Sequence, residues 1–532
     1  MTTPEPTTRN GSSRNLFTRF LDLVEWLGNL LPHPVTLFAL MAFGMVLLSG
    51  LFGWLDLAVP DPRPEGMRGR ADDGMIRAVS LLNGDGLRRI MSGLVDNFTG
   101  FAPLGVVLVA MLGVGVAEKS GMLSALVRGI VLNAPKHVVT VAIVFAGVLS
   151  NTASEMGYVV LVPLAAAVFY SLGRHPLAGM AAAFAGVSGG YSANLLIGTV
   201  DPLLAGLTEE AAQLIDPDYT VDATASYYFM FVSTFLITIV GSLVTIFIVE
   251  PKLGDYDPSG ADEDVLDGRS MQSLSGEEKK GLVSAGLAAL AVFGIMALTL
   301  IPEWGVLRNP DTGDRIDSPF FDGIVAWIFI FFLVTGFAYG KITGSMKNDR
   351  DVIDGMASAI ATLGLYVVLV FFAAQFVAFF GWTNIGAITA VTGANFLQGI
   401  GLTGPLVFVF FILVCGMINL SLGSASAQWA VTAPIFVPML MIIGYSPEVI
   451  QTAYRIGDSS TNIITPMMSY FGLILAWATR YDRNFGIGTL VATMLPYSIC
   501  FMAGWMLLFL FWTFGLDLPV GPGSPTFYAA GE

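Results

Sequence analysis

Residues 454–466 have the sequence YRIGDSSTNIITP, which places charged, hydroxyl and amide side chains and a proline inside an otherwise apolar stretch of the chain. Proline and closely spaced polar groups interrupt a helix, and lipid offers no partners for the backbone groups that are freed. The stretch therefore predicts a broken membrane crossing over about 447–477. A second crossing with the same character is predicted at about 177–208, where Ser192-Ala193-Asn194 is followed by Asp201-Pro202.

The composition around these breaks is that of a membrane protein. The 532 residues are 55% hydrophobic and 12% charged, with a mean hydropathy of +0.72, which is more apolar surface than one soluble fold can bury. The length suits roughly ten crossings of about 20 residues each. With only three histidines and no GxxxxGK[ST] phosphate loop, the sequence argues against a histidine-based metalloenzyme and an ATP-driven pump. We expect the chain not to be an enzyme.

Uninterrupted apolar stretches predict seven full crossings, at about 32–54, 101–119, 225–250, 281–302, 320–343, 352–380 and 486–515. Each broken crossing is preceded by an apolar stretch with a small, polar centre, at about 137–171 and about 403–443. We interpret these two stretches as re-entrant hairpins, with two ordinary helices per hairpin or one kinked helix as the alternatives. The predicted fold is an all-α polytopic membrane protein with nine transmembrane helices, two of them broken, and two inverted re-entrant helical hairpins.

Positive charge sets the expected orientation. With a cytoplasmic N-terminus, most of the 25 Lys and Arg residues fall on the cytoplasmic side, as the positive-inside rule requires. Replacing one hairpin by a single span would place later basic loops on the periplasmic side. Two transmembrane helices per hairpin would leave those loops in the cytoplasm, so charge does not exclude that alternative. The predicted order is a cytoplasmic segment 1–31, a first crossing 32–54, a periplasmic polar segment 55–100, a first repeat 101–208, scaffold helices 225–343 with a cytoplasmic loop 251–280, a second repeat 352–477, a last crossing 486–515 and a periplasmic tail 516–532.

The predicted hairpins and broken crossings carry asparagines at matching positions. Asn151 lies at the first hairpin centre and Asn194 in the crossing that follows, and Asn419 and Asn462 have the same relation later in the chain; both pairs are 43 residues apart. Equal spacing and inverted order predict a structural repeat. Amide oxygens at unwound segments can bind a hard cation such as sodium, or they can satisfy the backbone groups of broken helices. The candidate sodium ligands are Asn419, Asp458 and Asn462, with Asn151 as a further candidate.

Four charged residues fall inside or near the interrupted regions, where charge is costly in hydrocarbon: Glu155, Asp201, Arg455 and Asp458. Arg455 and Asp458 share a helix face and can form a structural ion pair; alternatively, Arg455 receives a substrate carboxylate and Asp458 handles the coupling ion. Asp201 either exchanges protons or caps the helix that follows it. Trp429 either stacks on an aromatic substrate ring or packs against a neighbouring helix.

Four strings resemble the p-aminobenzoyl-glutamate transporter family of bacteria: SNTASEMGYVVLVPL at 150–164, GGYSANLLIGTVDPL at 189–203, SASAQWAVTAPIFVPM at 424–439 and YRIGDSSTNIITPMM at 454–468. The resemblance runs over nearly the whole chain. It implies a bowl-shaped homodimer in the bacterial inner membrane, with nine crossings and two hairpins per protomer, that handles p-aminobenzoyl-glutamate or exports sulfonamides. It also implies a substrate pathway at Asp201, Trp429, Arg455 and Asp458, to which we add Asn194, and sodium ligands at Asn419, Asp458 and Asn462.

Residues and resemblance together predict a gradient-driven secondary transporter of p-aminobenzoyl-glutamate or related aromatic acids, with sulfonamide export as a further expected activity. A sodium-coupled carrier of another organic anion, such as a dicarboxylate, is the alternative. An ion channel that uses the polar hairpins as a filter is a third hypothesis. The sequence leaves open the direction of transport and whether sodium or protons drive it.

Overall fold

The computed structural model describes residues 32–67, 70–152, 157–262 and 273–528. The predicted cytoplasmic segment 1–31 and Glu155 lie outside these residues. The described chain is helical apart from its connections and one antiparallel pair of short strands, β1 Ala58–Pro60 and β2 Met75–Arg77, in the segment that was expected to be polar.

The helices differ widely in length, and several are too short to cross a membrane on their own. In chain order they are α1 Pro34–Trp54, α2 Gly84–Thr99, α3 Ala102–Ser120, α4 Met122–Leu132, α5 Val139–Ser150, α6 Gly157–Ser171, α7 Pro176–Gly189, α8 Val200–Ala212, α9 Tyr227–Leu253, α10 Gly276–Leu300, α11 Pro319–Asp322, α12 Ile324–Thr343, α13 Asp349–Thr362, α14 Gly364–Trp382, α15 Ile385–Gly399, α16 Leu406–Asn419, α17 Ala425–Ile443, α18 Pro447–Asn462, α19 Phe471–Thr479 and α20 Ile487–Gly515.

Within the described residues, eight helical segments are long and apolar enough to cross a membrane. They are Pro34–Trp54, Gly84–Ser120, Tyr227–Leu253, Gly276–Leu300, Ile324–Thr343, Gly364–Trp382, Ala425–Ile443 and Ile487–Gly515. The predicted class, an all-α polytopic membrane protein, is therefore confirmed. The nine crossings, their sidedness and the re-entrant course of the hairpins stay predictions.

Four helices do not follow the predicted spans. Met122–Leu132 is a short apolar helix between the predicted crossing 101–119 and the first hairpin. Gly84–Thr99 is an amphipathic helix in the segment that was expected to be polar, and Ile385–Gly399 is a mainly apolar helix just before the second hairpin. The stretch predicted as one crossing over 352–380 is divided into Asp349–Thr362 and Gly364–Trp382. The first of these two begins with a capping box and acidic residues, so only the second is apolar along its whole length.

Each predicted hairpin contains two helices. The first hairpin is Val139–Ser150 and Gly157–Ser171, and the second hairpin is Leu406–Asn419 and Ala425–Ile443. Both predicted broken crossings are interrupted: the first at residues 190–199, between Pro176–Gly189 and Val200–Ala212, and the second at residues 463–470, between Pro447–Asn462 and Phe471–Thr479. We call the first hairpin with the first broken crossing the first unit, and the later pair the second unit.

Glycines bring the first arm of each hairpin close to the broken crossing of the same unit. A Cβ added to Gly147 would lie 2.9 Å from the Cα of Gly186 in the first unit. In the second unit, a Cβ on Gly457 would lie 2.5 Å from the carbonyl oxygen of Ile412 and 3.0 Å from the backbone nitrogen of Gly416. Small residues at such positions let helix backbones approach closely in a membrane. The first arm of each hairpin therefore packs directly against the backbone of its own broken crossing, and glycine makes this close approach possible.

We expect Gly186→Val and Gly457→Val each to destabilise the purified protein by about 1–3 kcal/mol, because the added side chain has no room between the two backbones. Thermal unfolding in detergent measures the effect. Gly44→Val is the matched control, since Gly44 is also helical and a Cβ there meets nothing within 4 Å. Wild-type melting of both site variants would contradict the close glycine contacts.

Candidate substrate and ion site

The polar interruptions of the two units meet at one cavity of about 520 Å³. The first unit contributes residues from its hairpin and its break, and the second unit contributes the turn of its hairpin and its break. The lining residues are Val107, Met111, Glu118, Asn151, Tyr158, Val159, Tyr191, Thr199, Val200, Leu203, Thr362, Leu363, Tyr366, Gly423, Ser424, Ala425, Ser426, Asn462, Met468, Ser469 and Tyr470. Apolar, aromatic and a few polar groups of this kind are typical of a small-molecule site.

Two helices begin at the wall of this cavity. Val200 and Ala425 are first residues of their helices, and the side chains of the preceding residues, Thr199 and Ser424, make no capping hydrogen bond. The first turn of a helix carries free backbone N–H groups and a partial positive charge. Among the described lining residues Glu118 is the one charged side chain. Helix starts are therefore the groups of this lining that can contribute positive potential, and in Val200–Ala212 the Asp201 carboxylate lies in the same first turn.

In the second unit, the hairpin and the broken crossing meet through Asn419. Its Nδ2 donates to three oxygens: the carbonyl of Asp458 at 2.8 Å, Oγ1 of Thr461 at 3.0 Å and Oδ1 of Asn462 at 2.9 Å. Asn419 Oδ1 and Asp458 Oδ1 are buried without a hydrogen-bond partner among the described residues. Oxygens thus outnumber the donors that can serve them. Such a cluster is electrostatically suited to a small cation.

Carboxylates and histidines alone do not account for a cation site in this protein. Within the described chain, no group of three or more His, Cys, Asp or Glu residues could hold a metal ion. Any cation here would therefore need amide, hydroxyl or carbonyl oxygens, which the cluster at Asn419, Asp458, Thr461 and Asn462 offers. Of the predicted sodium ligands, the structure brings Asn419, Asp458 and Asn462 together.

The first unit makes the corresponding contact with different chemistry. Thr152 Oγ1 donates to Asn194 Oδ1 at 2.7 Å, and the backbone N–H of Leu195 donates to the same oxygen at 2.9 Å. Asn194 therefore satisfies the backbone of its own broken crossing. Asn151 lines the cavity, and its buried Nδ2 has no partner among the described residues. Asn151 shares this cavity with Asn462 of the oxygen cluster, and its part in ion binding stays a prediction.

A buried ion pair joins the two broken crossings. The Arg455 guanidinium donates to Asp201 Oδ1 at 2.6 Å, and each side chain is only 4% exposed. The other carboxylate oxygen of Asp201 accepts from the backbone N–H of Gly198 at 2.6 Å. Of the two alternatives for Arg455, the structural ion pair with Asp458 is not the one formed, because the partner of Arg455 is Asp201. The guanidinium reaches across to the first turn of Val200–Ala212, while Asp458 Oδ2 lies 3.5 Å from Asn462 Nδ2.

The Arg455 guanidinium does not line the 520 Å³ cavity. It borders a separate void of about 10 Å³, together with Ser192, Ser226 and Thr452. Its Nε has no partner among the described residues. In this conformation a substrate carboxylate in the large cavity would not contact Arg455, and the predicted contact would require the pair with Asp201 to rearrange.

The predicted aromatic contact residue is also covered. Trp429 is fully buried, its ring stacks on Tyr454 at 4.2 Å between centroids, and its Nε1 donates to Thr208 Oγ1 at 2.9 Å. A buried indole with a satisfied N–H is a packing arrangement. The aromatic residues that do line the cavity are tyrosines, at 158, 191, 366 and 470. Residues 158 and 191 stand inside two of the strings quoted above, but nothing in the sequence distinguished them.

We expect Asp201→Asn and Arg455→Gln each to destabilise the protein by about 3–5 kcal/mol, because each leaves one buried charge without its partner. The double variant should lose less than the sum of the two, since it removes both charges. Thermal unfolding of the four proteins in detergent gives the coupling. Strict additivity would show that the pair does not form. Asp73→Asn with Arg77→Gln is the control pair, because it is about half exposed.

Residues 19–528 match the family described as "AbgT putative transporter family". The p-aminobenzoyl-glutamate transport protein of Escherichia coli (strain K12) is 35% identical over 500 residues, which are 94% of this chain and 95% of that protein. Neisseria gonorrhoeae MtrF, whose structure is presented as illuminating a class of antimetabolite efflux pumps, has a TM-score of 0.89 and 57% identity, over 95% of this chain and 100% of that one. The Alcanivorax borkumensis YdaH transporter, presented as having an unusual topology, has a TM-score of 0.85 and 44% identity, over 92% and 100%. The resemblance of the four strings is confirmed, and the chain belongs to the AbgT family of membrane transporters.

Proposed function

We propose that this transporter is a gradient-driven carrier of p-aminobenzoyl-glutamate or related aromatic acids, and that sulfonamide antimetabolites are among the compounds it exports. The observation that carries the proposal is the 520 Å³ cavity at which the interruptions of both units meet. Discontinuous helices around a central site are the usual architecture of secondary transporters. The relative from Escherichia coli is named for p-aminobenzoyl-glutamate, and the relative from Neisseria gonorrhoeae is presented with antimetabolite efflux pumps.

The cavity lining favours an aromatic acid over an aliphatic dicarboxylate. Four tyrosines line it, and their rings offer flat apolar surface that a short dicarboxylate would leave unused. The uncapped helix starts at Val200 and Ala425 offer N–H groups to a carboxylate. Asp201 and Arg455 then act in the pathway indirectly, because their ion pair couples the positions of the two broken crossings. Trp429 and Asn194 contribute to the pathway as packing and backbone supports.

We further propose that sodium binds at Asn419, Asp458 and Asn462 and that Asp201 gives proton linkage. The unpartnered oxygens of Asn419 and Asp458 support the first assignment. When bound, the ion would supply positive charge beside the Asp458 carboxylate and so link its own gradient to the conformation of the second unit. The chain would act as a homodimer in the bacterial inner membrane, with a cytoplasmic N-terminus and a periplasmic C-terminus.

Reconstitution into proteoliposomes tests the proposal. We expect labelled p-aminobenzoyl-glutamate to cross faster than labelled succinate, and the flux to respond to a sodium gradient and a pH gradient imposed separately. Succinate flux without aromatic flux would overturn the substrate class. Ionic currents that persist without substrate would favour the channel hypothesis instead.

Variants of the proposed ion-binding residues test whether sodium, protons or both drive transport. Asp458→Asn and Asn419→Ala should lower sodium-driven flux by about tenfold or more, because each removes an oxygen ligand or the negative charge beside it. Asp201→Asn should weaken the response to the pH gradient. Asn133→Ala is the matched control, since that exposed amide donates only to the Gly129 carbonyl at the end of a short helix. Wild-type coupling in all three site variants would contradict the assigned roles.

A further inference from the structure

Two tyrosine rings from different units are stacked at the cavity wall. Tyr158 lies in the second arm of the first hairpin, and Tyr470 is the residue before the helix Phe471–Thr479 of the second broken crossing. Their ring centroids are 4.5 Å apart, and their planes differ by only 2°. Both residues line the 520 Å³ cavity. The pair is therefore a flat aromatic surface at the site where substrate is proposed to bind.

The buried half of this surface is held firmly. Tyr158 is 6% exposed. It also makes an edge contact with the ring of Phe184 in the first broken crossing, with 6.3 Å between ring centroids and 61° between ring planes. It sits on a single π-helical turn, Gly157–Leu161. Such turns often occur at functional sites because they re-aim a side chain without ending the helix. Gly157 allows the turn to approach Ser150 of the opposite arm. Tyr158 is thus the fixed base of the stack.

Tyr470 is the accessible half. Its side chain is partly exposed, and its neighbours Ser469 and Met468 also line the cavity. Two other aromatic residues near the site are engaged differently: the Tyr366 hydroxyl donates to the Pro103 carbonyl at 3.0 Å, and Trp429 is covered by Tyr454. A planar ligand entering the cavity meets the Tyr158–Tyr470 stack as a ready-made surface of aromatic rings.

We propose that the Tyr158–Tyr470 stack is the aryl-binding surface of this transporter, and that the aminobenzene ring of the substrate packs on Tyr470. The inference rests on the proposed function and names the group that sets its specificity. Aminobenzoates carry a carboxylate and sulfonamides need not, so the shared ring is the feature that one site can recognise in both. Offset stacking of a third ring extends an arrangement that the protein already makes. Compounds without a flat ring are then poor ligands.

The test is binding of p-aminobenzoyl-glutamate and of sulfanilamide to the full-length purified chain, by isothermal titration. We expect Tyr470→Leu to weaken both ligands by about tenfold, which is the loss of one aromatic contact together with its buried area. Tyr470→Phe keeps the ring and should stay within about twofold of the wild type. Equal weakening by Tyr470→Phe and Tyr470→Leu would show that the hydroxyl, rather than the ring, is recognised, and would overturn the inference.

Tyr366→Leu is the matched control, because it removes a ring from the same cavity outside the stack. It should weaken binding less than Tyr470→Leu does. If the two variants weaken binding equally, the preference for aryl ligands is not located at the stack, and the inference fails. Tyr158→Leu, which removes the base of the stack, should also weaken both ligands. Thermal unfolding of each variant separates loss of folding from loss of binding.

The two proposals fail in different ways. If the wild type binds both aryl ligands but Tyr470→Leu binds them equally well, the aryl surface is wrong and the proposed function stands. If the wild type binds succinate and neither aryl ligand, the proposed function itself is wrong. If Tyr470→Leu weakened sulfanilamide binding but left p-aminobenzoyl-glutamate binding unchanged, the two ligands would not share one site for their aminobenzene rings.

Discussion

The buried ion pair between Asp201 and Arg455 is the interaction on which the arrangement of the two units depends. Each charge alone would be very costly at 4% exposure, so neither broken crossing can hold its charge there without the other. Asp201 gains further support from the Gly198 N–H and from its place in the first turn of a helix, where negative charge is favoured. Any movement of one broken crossing past the other must therefore carry the pair along or supply both charges with new partners.

The two units make an equivalent hydrogen bond that has a different role in each. In each, a residue near the hairpin turn hydrogen-bonds to an asparagine of the broken crossing: Thr152 to Asn194, and Asn419 to Asn462. In the first unit that asparagine oxygen is fully used by two donors, one of them backbone. In the second unit oxygens are left over, and a carboxylate stands beside them. The first contact is suited to holding an unwound segment in place, and the second to binding charge.

Sequence patterns predicted the features that arise locally. Membrane class and helix breaks follow from hydropathy and from residue types that stop helices, and the described helices agree with them. The pairing of Arg455 with Asp201 was missed, because spacing along one helix could not reveal a residue on another. The helix Gly84–Thr99 was missed for a different reason: an amphipathic helix with many polar residues resembles a polar loop when only hydropathy is considered. The close approaches at Gly186 and Gly457 depend on neighbouring backbones, which no single position encodes.

The absence of a lysine or arginine among the described cavity residues has a consequence for selectivity. A cationic side chain in the cavity would favour every organic anion of suitable size. It would disfavour neutral ligands, because they would displace its water without offering a compensating charge. Helix N-termini give a weaker positive potential that is fixed in place, and in Val200–Ala212 the Asp201 carboxylate balances part of it. Aromatic surface then contributes a larger share of the binding energy, and it does so for charged and uncharged rings alike. A lining of helix starts, tyrosines and one acidic side chain, Glu118, thus agrees with the proposed preference for aromatic ligands over short aliphatic anions.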